Sequence, residues 1–525
     1  MLISRKKQAV VLNLRHPERV TTVIPTAKVF EHKGQRLVAV PHKPAETKVL
    51  NNLGFDIPNP LHWHYDWPGR YSPFEKQRIT TEFVTDHPRV FVLSSMGTGK
   101  TLSSLWAYDW RRKNRMANKL LVIAPLSVLE RAWGDALWQN FPHLNFAVLH
   151  GSRDKRMKLL ANPDFDVYII NHDGLPIIVS ELANRPDIDT LIVDEGAIYR
   201  NSSTRRWRAL NTVINQQKIN RYVVWMTGTP TPNAPTDAWA QCRIVCPANV
   251  PQYFGKFRDQ VMRQVSQFKW VARDNATDVV FNAMQPAIRY SLDDCVDLPE
   301  QVFETRQAEM TDEQKRAYAQ MLATLRAQAA EGAILAVNEA VKASKLVQIA
   351  CGVVYGIDGQ EVHIPAQSRI EVVLEAIEQS EGKVLVFVPF LPVISYVAGE
   401  LSKHYTVAVV NGDTKKSERD TIFGDFQSAK EPHVIVAQPG TMSHGLTLTA
   451  ATTIIWYAPI NSNETYEQAC ARTRRPGQKR TTVVVNVCGS EVERRMYVRL
   501  QNKQRMQGLL LDMLQGVAES YVVNG

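Results

Sequence analysis

From about residue 88 the chain alternates short, unbroken runs of Val, Ile and Leu with longer stretches of helical periodicity. Residues 90–93, 120–124, 167–170, 191–193 and 223–226 form one set of runs. Residues 384–388, 407–410, 434–437, 453–456 and 482–487 form a second. A strand with one wet face alternates apolar and polar positions. A continuous apolar run is instead buried on both faces, as in a parallel sheet covered by helices. Each set is about the size of one α/β domain, so the pattern predicts two tandem, doubly wound parallel-sheet lobes.

The flanking segments read differently. Val29 and Phe30, a turn at residues 32–35 and an apolar run at 37–40 predict a small β-rich unit at the start. Pro58, Pro60, Pro68 and Pro73 punctuate a connector into the first lobe. Residues 312–350, rich in Ala, Glu, Gln and Lys, predict helix. The expected division is therefore 1–66 as a β-rich accessory domain and 67–240 as the first lobe. Helical insertions and a linker follow at 241–368, then the second lobe with a C-terminal helix (491–514) at 369–525.

Composition narrows the class without naming it. Among 525 residues, 44% are hydrophobic and 22% charged, which excludes global disorder. No apolar run reaches the length of a membrane span, and the first residues do not read as a secretory signal. Six scattered cysteines predict free thiols in a reducing cytoplasm, and the spacing of Cys242 and Cys246 lacks the partners a zinc site needs. The net charge of +10 favours a polyanionic partner. Basic clusters at 111–119 and 472–480 are candidates for it, although such runs are ordinarily solvated faces.

The chemistry begins after the first run. Ser94, Ser95, Met96, Gly97, Thr98, Gly99, Lys100 and Thr101 lie between a predicted strand and a helix whose apolar stripe is Leu102, Leu105 and Trp106. Small residues there let backbone N–H groups and a helix N-terminus approach a phosphate. Lys100 would reach the β- and γ-phosphates and the Thr101 hydroxyl would ligate Mg²⁺. Ser94 stands where the strict pattern has glycine. Asp194 and Glu195, closing the run at 191–193, supply the complement: Asp194 to hold Mg²⁺ and Glu195 to polarise the attacking water.

In this order the residues resemble the superfamily-two helicase-like ATPases, and within them the Swi/Snf-like double-stranded DNA translocases, phage-encoded or bacterial members in particular. The resemblance runs from about Phe74 to Leu500. Phe74-Glu75-Lys76-Gln77 resembles the adenine-reading Q motif, residues 96–101 motif I, and Ala124-Pro125-Leu126-Ser127 motif Ia. Asp194-Glu195-Gly196-Ala197 resembles motif II and Thr227-Gly228-Thr229-Pro230 motif III. Val386 to Phe390 is similar to motif IV, residues 443–450 to motif V and residues 468–478 to motif VI. Two departures are visible: Ala197 replaces the usual motif II His, and Arg474 replaces a frequent His in motif VI.

The resemblance implies RecA-like lobes, ATP and Mg²⁺. It implies nucleotide contacts from Gln77, Met96, Gly97, Thr98, Gly99, Gly445 and Gln468. It further implies backbone contacts to nucleic acid from Pro125, Leu126, Ser127, Asn171, Pro389, Phe390, Gly412, Ser443 and His444. Such contacts grip phosphates and carry little sequence information. Independently, Gln468, Arg472 and Arg475 are spaced i, i+4 and i+7, which predicts one helix face ending before Pro476. Both arginines would then act as fingers on the γ-phosphate. The expected activity is ATP-driven movement along double-stranded or branched DNA, with replication, recombination or transcription proteins as partners and no membrane. An RNA-directed motor and a nucleotide-dependent binder without turnover are the alternatives.

Overall fold

A computed structural model of the chain describes residues 1–216, 221–266, 269–295, 297–330, 336–355, 361–442 and 447–502. It divides into two compact units, residues 1–295 and residues from 296 onward.

The first unit opens with four antiparallel strands: β1 (Leu2–Ser4), β2 (Ala9–Asn13), β3 (Lys28–His32) and β4 (Gln35–Pro41), in the order β1-β2-β4-β3. Val10, Leu12, Val38 and Val40 alternate onto one face, where Leu50 of the helix Pro44–Asn52 helps close a small core. This is the β-rich domain expected at the start of the chain.

Seven strands then form one all-parallel sheet. They are β5 (Arg89–Val92), β6 (Lys119–Ala124), β7 (Phe146–Val148), β8 (Val167–Asn171), β9 (Ile188–Val193), β10 (Tyr222–Met226) and, after the hairpin β11 (Met262–Ser266) and β12 (Lys269–Ala272), β13 (Ala287–Ile288). Their order is β13-β5-β10-β9-β6-β8-β7. Phe91, Ile123, Ile170, Val193 and Trp225 enter the core on one face. Val90, Val122, Ile169, Ile192 and Val224 enter the core on the other. Two apolar layers account for the unbroken Val/Ile/Leu runs. Strands β7 and β13 have no such run: three and two residues are too few to carry a pattern.

The second unit holds six parallel strands: β14 (Gln301–Gln307), then, after the small hairpin β15 (Val353–Tyr355) and β16 (Glu361–His363), β17 (Lys383–Phe387), β18 (Val407–Val410), β19 (Val434–Ala437), β20 (Ala451–Trp456) and β21 (Thr482–Cys488). The order is β14-β21-β20-β17-β19-β18. Its faces are again separate cores, one around Val384, Val386 and Val436, the other around Leu385, Phe387 and Trp456.

The span 241–368, expected to be helical, contains more. The helices Phe254–Val261 and Ala276–Ala283 place Phe257, Val261 and Ala276 in the first unit's core, and β13 joins its sheet. Strand β14 is an edge of the second sheet, with Val302 and Phe303 exposed, so its sequence lacks the buried-strand signature. The helices Asp312–Ala330 and Ala336–Cys351 do form. The final described helix spans Glu491–Gln501; the rest of the predicted C-terminal helix lies outside the described residues.

Candidate functional site

The turn after β5 carries the glycine loop, and the helix Lys100–Lys113 starts directly behind it. Gly97 (φ 82°) and Gly99 (φ 78°) both take left-handed backbone, which turns successive N–H groups toward one concavity. Thr98 Oγ1 donates to the Ser95 carbonyl at 2.8 Å, and Lys100 Nζ donates to the carbonyls of Ser94 (2.7 Å) and Ser95 (3.0 Å). Met96 sits within the loop and Thr101 in the first helical turn.

Ser94 now has a reason. It is buried, and its hydroxyl accepts from the Tyr290 amide at 3.0 Å, while Ser95 N–H donates to the Tyr290 carbonyl at 2.9 Å. The segment after β13 thus pins the loop from outside the motif. Nothing in the local sequence points to it.

Gln77 is buried in the first turn of the helix Glu75–Asp86, its Oε1 accepting from Phe74 N–H at 2.9 Å. Its amide nitrogen lies against Gly99: a Cβ there would stand 1.9 Å from Gln77 Nε2. Gly228, after β10, lies beside Ser94 and Met96 of the loop. The Q-motif glutamine, the glycine loop and the turn after β10 therefore meet.

Asp194 follows β9. Its Oδ2 accepts from Trp133 Nε1 at 3.1 Å and its Oδ1 from Glu195 N–H at 3.1 Å. Desolvation raises its pKa; the Trp133 hydrogen bond and the Lys100 charge oppose that shift. Glu195 has φ 52°, a costly conformation for a non-glycine residue and one found where a site fixes a side chain. Trp133 is 61 residues from Asp194, and no sequence signal identifies it.

Pro125, Leu126 and Ser127 follow β6, and Asn171 ends β8. Leu126 and Ser127 are exposed; Asn171 Oδ1 accepts from Arg156 Nη1 at 3.4 Å. These residues share the carboxyl edge of the sheet with the glycine loop and the acidic pair, where ligands of open α/β sheets bind.

In the second unit Pro389 and Phe390 follow β17, and Gly412, following β18, donates from its N–H to Gln438 Oε1 at 3.2 Å. Ser443, His444 and Gly445 lie outside the described residues.

The arginine segment differs from expectation. The helix Asn463–Cys470 contains Gln468 but stops there, so Gln468, Arg472 and Arg475 do not share a helical face. Residues 471–478 turn instead, because Leu448 N–H takes the Arg472 carbonyl at 3.0 Å and the buried Gln478 side chain ties the turn down. Gln478 Nε2 donates to Thr449, Ala451 and Thr473 carbonyls at 3.1, 3.1 and 3.2 Å. Its Oε1 accepts from Lys479 and Arg480 N–H at 3.0 and 3.1 Å. Arg472 is 1% exposed, and Arg475 Nε donates to the Ala471 carbonyl at 3.1 Å.

The first basic cluster is mostly structural. Arg111 is buried and donates to the carbonyls of Val84, Thr85 and His87; burial pushes its pKa down to about 10. Arg112 pairs with Asp166 and Lys113 with Asp109. The Cys242 and Cys246 thiols both donate to the Ala283 carbonyl. Among the described residues no helix is long and apolar enough to cross a membrane.

Known proteins share sequence with this chain over most of its length. The SNF2-related domain matches residues 90–351 and the helicase conserved C-terminal domain residues 368–477. Protein p41 of Acyrthosiphon pisum secondary endosymbiont phage 1 is 24% identical over 85% of this chain and 99% of its own length. The ATP-dependent DNA helicase DDM1 of Arabidopsis thaliana is 23% identical over 79% of this chain, which spans 58% of that protein. A Xenopus laevis SWI/SNF-related regulator of chromatin, subfamily A-like protein 1, is 24% identical over 78% of this chain, which spans 41% of it. The Sulfolobus solfataricus SWI2/SNF2 ATPase core in complex with dsDNA superposes over 83% of this chain and 92% of its own, at a TM-score of 0.41 and 21% identity.

Proposed function

The chain belongs to the SNF2-related branch of the superfamily-two helicase-like ATPases, and from that premise we propose that it hydrolyses ATP to move along double-stranded or branched DNA. The observation that carries this reading is the junction of Gln77, the loop 94–101 and the Asp194–Glu195 turn on one sheet edge. The donor set fits a magnesium nucleotide: two left-handed glycines, a lysine, a hydroxyl at a helix start and a carboxylate ending a neighbouring strand.

In this assignment Thr101 and Asp194 hold Mg²⁺, which would shield charge on the β- and γ-phosphates. Lys100 binds those phosphates, with the amides of residues 96–99 around them. Glu195 polarises the attacking water, and Gln77, Gly445 and Gln468 contact the nucleotide. Arg472 and Arg475 are assigned to charge developing on the γ-phosphoryl group, arriving on a clamped turn and not on a helix end. Pro125, Leu126, Ser127, Asn171, Pro389, Phe390, Gly412, Ser443 and His444 grip the nucleic-acid backbone, so binding weakens steeply with salt. DNA as the track is supported by the relatives named as DNA helicase and chromatin regulator. Free thiols throughout the cysteine set support a reducing bacterial or phage-infected cytoplasm.

The test is ATP hydrolysis measured with duplex, forked, four-way and single-stranded DNA and with RNA. Duplex or branched DNA should activate most strongly. Glu195→Gln should retain ATP binding and lose about 10²–10⁴-fold in turnover. Strongest activation by RNA, or unchanged turnover in Glu195→Gln, overturns the assignment.

A further inference from the structure

Net positive charge on this molecule is concentrated in its first 57 residues, in and around the antiparallel sheet. Residues 1–57 contain ten Lys and Arg against four Asp and Glu, a surplus of six out of the +10 carried by all 525 residues. All ten cations are exposed, and among the described residues none is ion-paired. This differs from the cluster at 111–119, where Arg111, Arg112, Lys113 and Lys119 have carboxylate or carbonyl partners.

The sheet between those cations has an uncommitted face. Register places Leu2, Val11, Ala39 and Lys28 side by side across all four strands, with Leu37 and Phe30 paired one step along. This face is opposite the Val10, Leu12, Val38 and Val40 core, and none of its apolar residues belongs to that core. Leu2 is 65% and Phe30 39% exposed. Arg5, Lys6 and Lys7 occupy the β1–β2 turn at one end of the face, and Lys33 the β3–β4 turn at the other.

We propose that this outer sheet face binds single-stranded nucleic acid, with bases lying on the Leu2, Val11, Leu37 and Phe30 surface and phosphates following the basic turns at its two ends. The pairing of features selects the occupant. A duplex offers charge but no base faces, and would leave the apolar surface unused. A protein partner without a compensating acidic surface gives no reason for six surplus cations. A single strand uses both, through stacking and through backbone charge. The binding is separate from the ATP site, so it stands or falls on its own.

Fluorescence anisotropy without nucleotide, using the full chain and a labelled oligothymidylate or a duplex of equal length, tests it. Phe30→Ala should weaken oligothymidylate binding about fivefold or more while leaving the duplex within about twofold. Lys6→Glu/Lys7→Glu/Lys33→Glu should flatten the slope of log affinity against log salt by about 2, at about 0.7 per lost phosphate contact. Both variants should keep the parent's unstimulated ATP hydrolysis, which verifies folding. Lys100→Ala should lose hydrolysis and keep oligothymidylate binding, which separates this face from the ATP assignment. Parental oligothymidylate binding in both face variants, or equal weakening toward duplex in Phe30→Ala, would each overturn the proposal.

Discussion

Gly196 lies flat against the indole of Trp225: a Cβ on Gly196 would stand 2.1 Å from Trp225 Nε1. That indole donates to Gln241 Oε1 at 3.1 Å, and the buried Gln241 Nε2 donates to the Pro230 carbonyl at 2.6 Å and the Asp237 carbonyl at 2.9 Å. An unbroken series of contacts therefore runs from the acidic turn to the loop after β10. It does so in a chain whose motif II ends in a buried Ala197.

Gly196→Ala forces the indole to move, and overpacking of this kind costs about 1–3 kcal/mol. Gln241→Leu leaves a buried indole N–H unsatisfied, at about 1–3 kcal/mol. Both variants should lower kcat for ATP hydrolysis more than they raise KM, because the glycine loop is untouched. A change in KM alone, read from steady-state kinetics, would assign these residues to nucleotide binding instead.

Gly99→Ala should abolish nucleotide binding in a titration with a fluorescent ATP analogue, since the new methyl falls on the Gln77 amide. Adding Gln77→Ala removes that collision but also the assigned Gln77 contact with the nucleotide, and it leaves the penalty of φ 78°, about 1–2 kcal/mol for an L-residue. The double variant should regain part of the affinity. Full recovery would mean that the backbone conformation is not required.

His42 Nε2 meets the Pro58 carbonyl at 2.8 Å, and His64 Nε2 meets His42 Nδ1 at 2.9 Å. Burial lowers the His42 pKa, opposed by that carbonyl; burial, then His42 and Arg5, lower that of His64. Unfolded imidazoles protonate near 6.5, the folded pair only at lower pH, so in that interval the unfolded chain binds more protons. Their contribution is complete above about pH 6.5 and is lost on acidification. Thermal melting should show a midpoint falling below that pH, and His64→Gln should flatten the fall. Equal slopes in parent and variant would clear the pair of this role.

Arg369 is buried against Glu493, with Nη2 to Oε1 at 2.8 Å and to Oε2 at 2.9 Å, and its Nη1 donates to the Tyr457 carbonyl at 2.5 Å. Arg369→Ala leaves a carboxylate stranded and should cost about 3–5 kcal/mol in urea unfolding of the full chain. Arg369→Met with Glu493→Leu should cost much less. A double variant as damaged as the single one would show that packing, not charge, dominates there.

The lobes were readable because strands buried on both faces have unbroken apolar runs, as at 120–124 and 434–437. Edge strand β14 was not readable, because charged, half-buried positions such as Glu304 and Arg306, which bond to each other, break that signal. The glycine loop and acidic pair are local motifs and were legible as such. Trp133, Tyr290 and Gln241 act across 61, 196 and 16 residues, and no local pattern encodes a contact made by tertiary folding. The helical spacing of Arg472 and Arg475 misled for the same reason: distant backbone groups, gathered by Gln478, override the helix register.

That glutamine has a mechanical consequence. Two bonds from the Gln478 amide, to the Thr449 and Ala451 carbonyls, fasten the residue 471–480 corner to the root of β20, and three more, with the Thr473 carbonyl and the Lys479 and Arg480 N–H groups, hold the corner together, so loop rearrangement at Arg475 would have to break them. Any stroke registered at that guanidinium must be a displacement of the sheet behind it, as a tooth moves only with its gear.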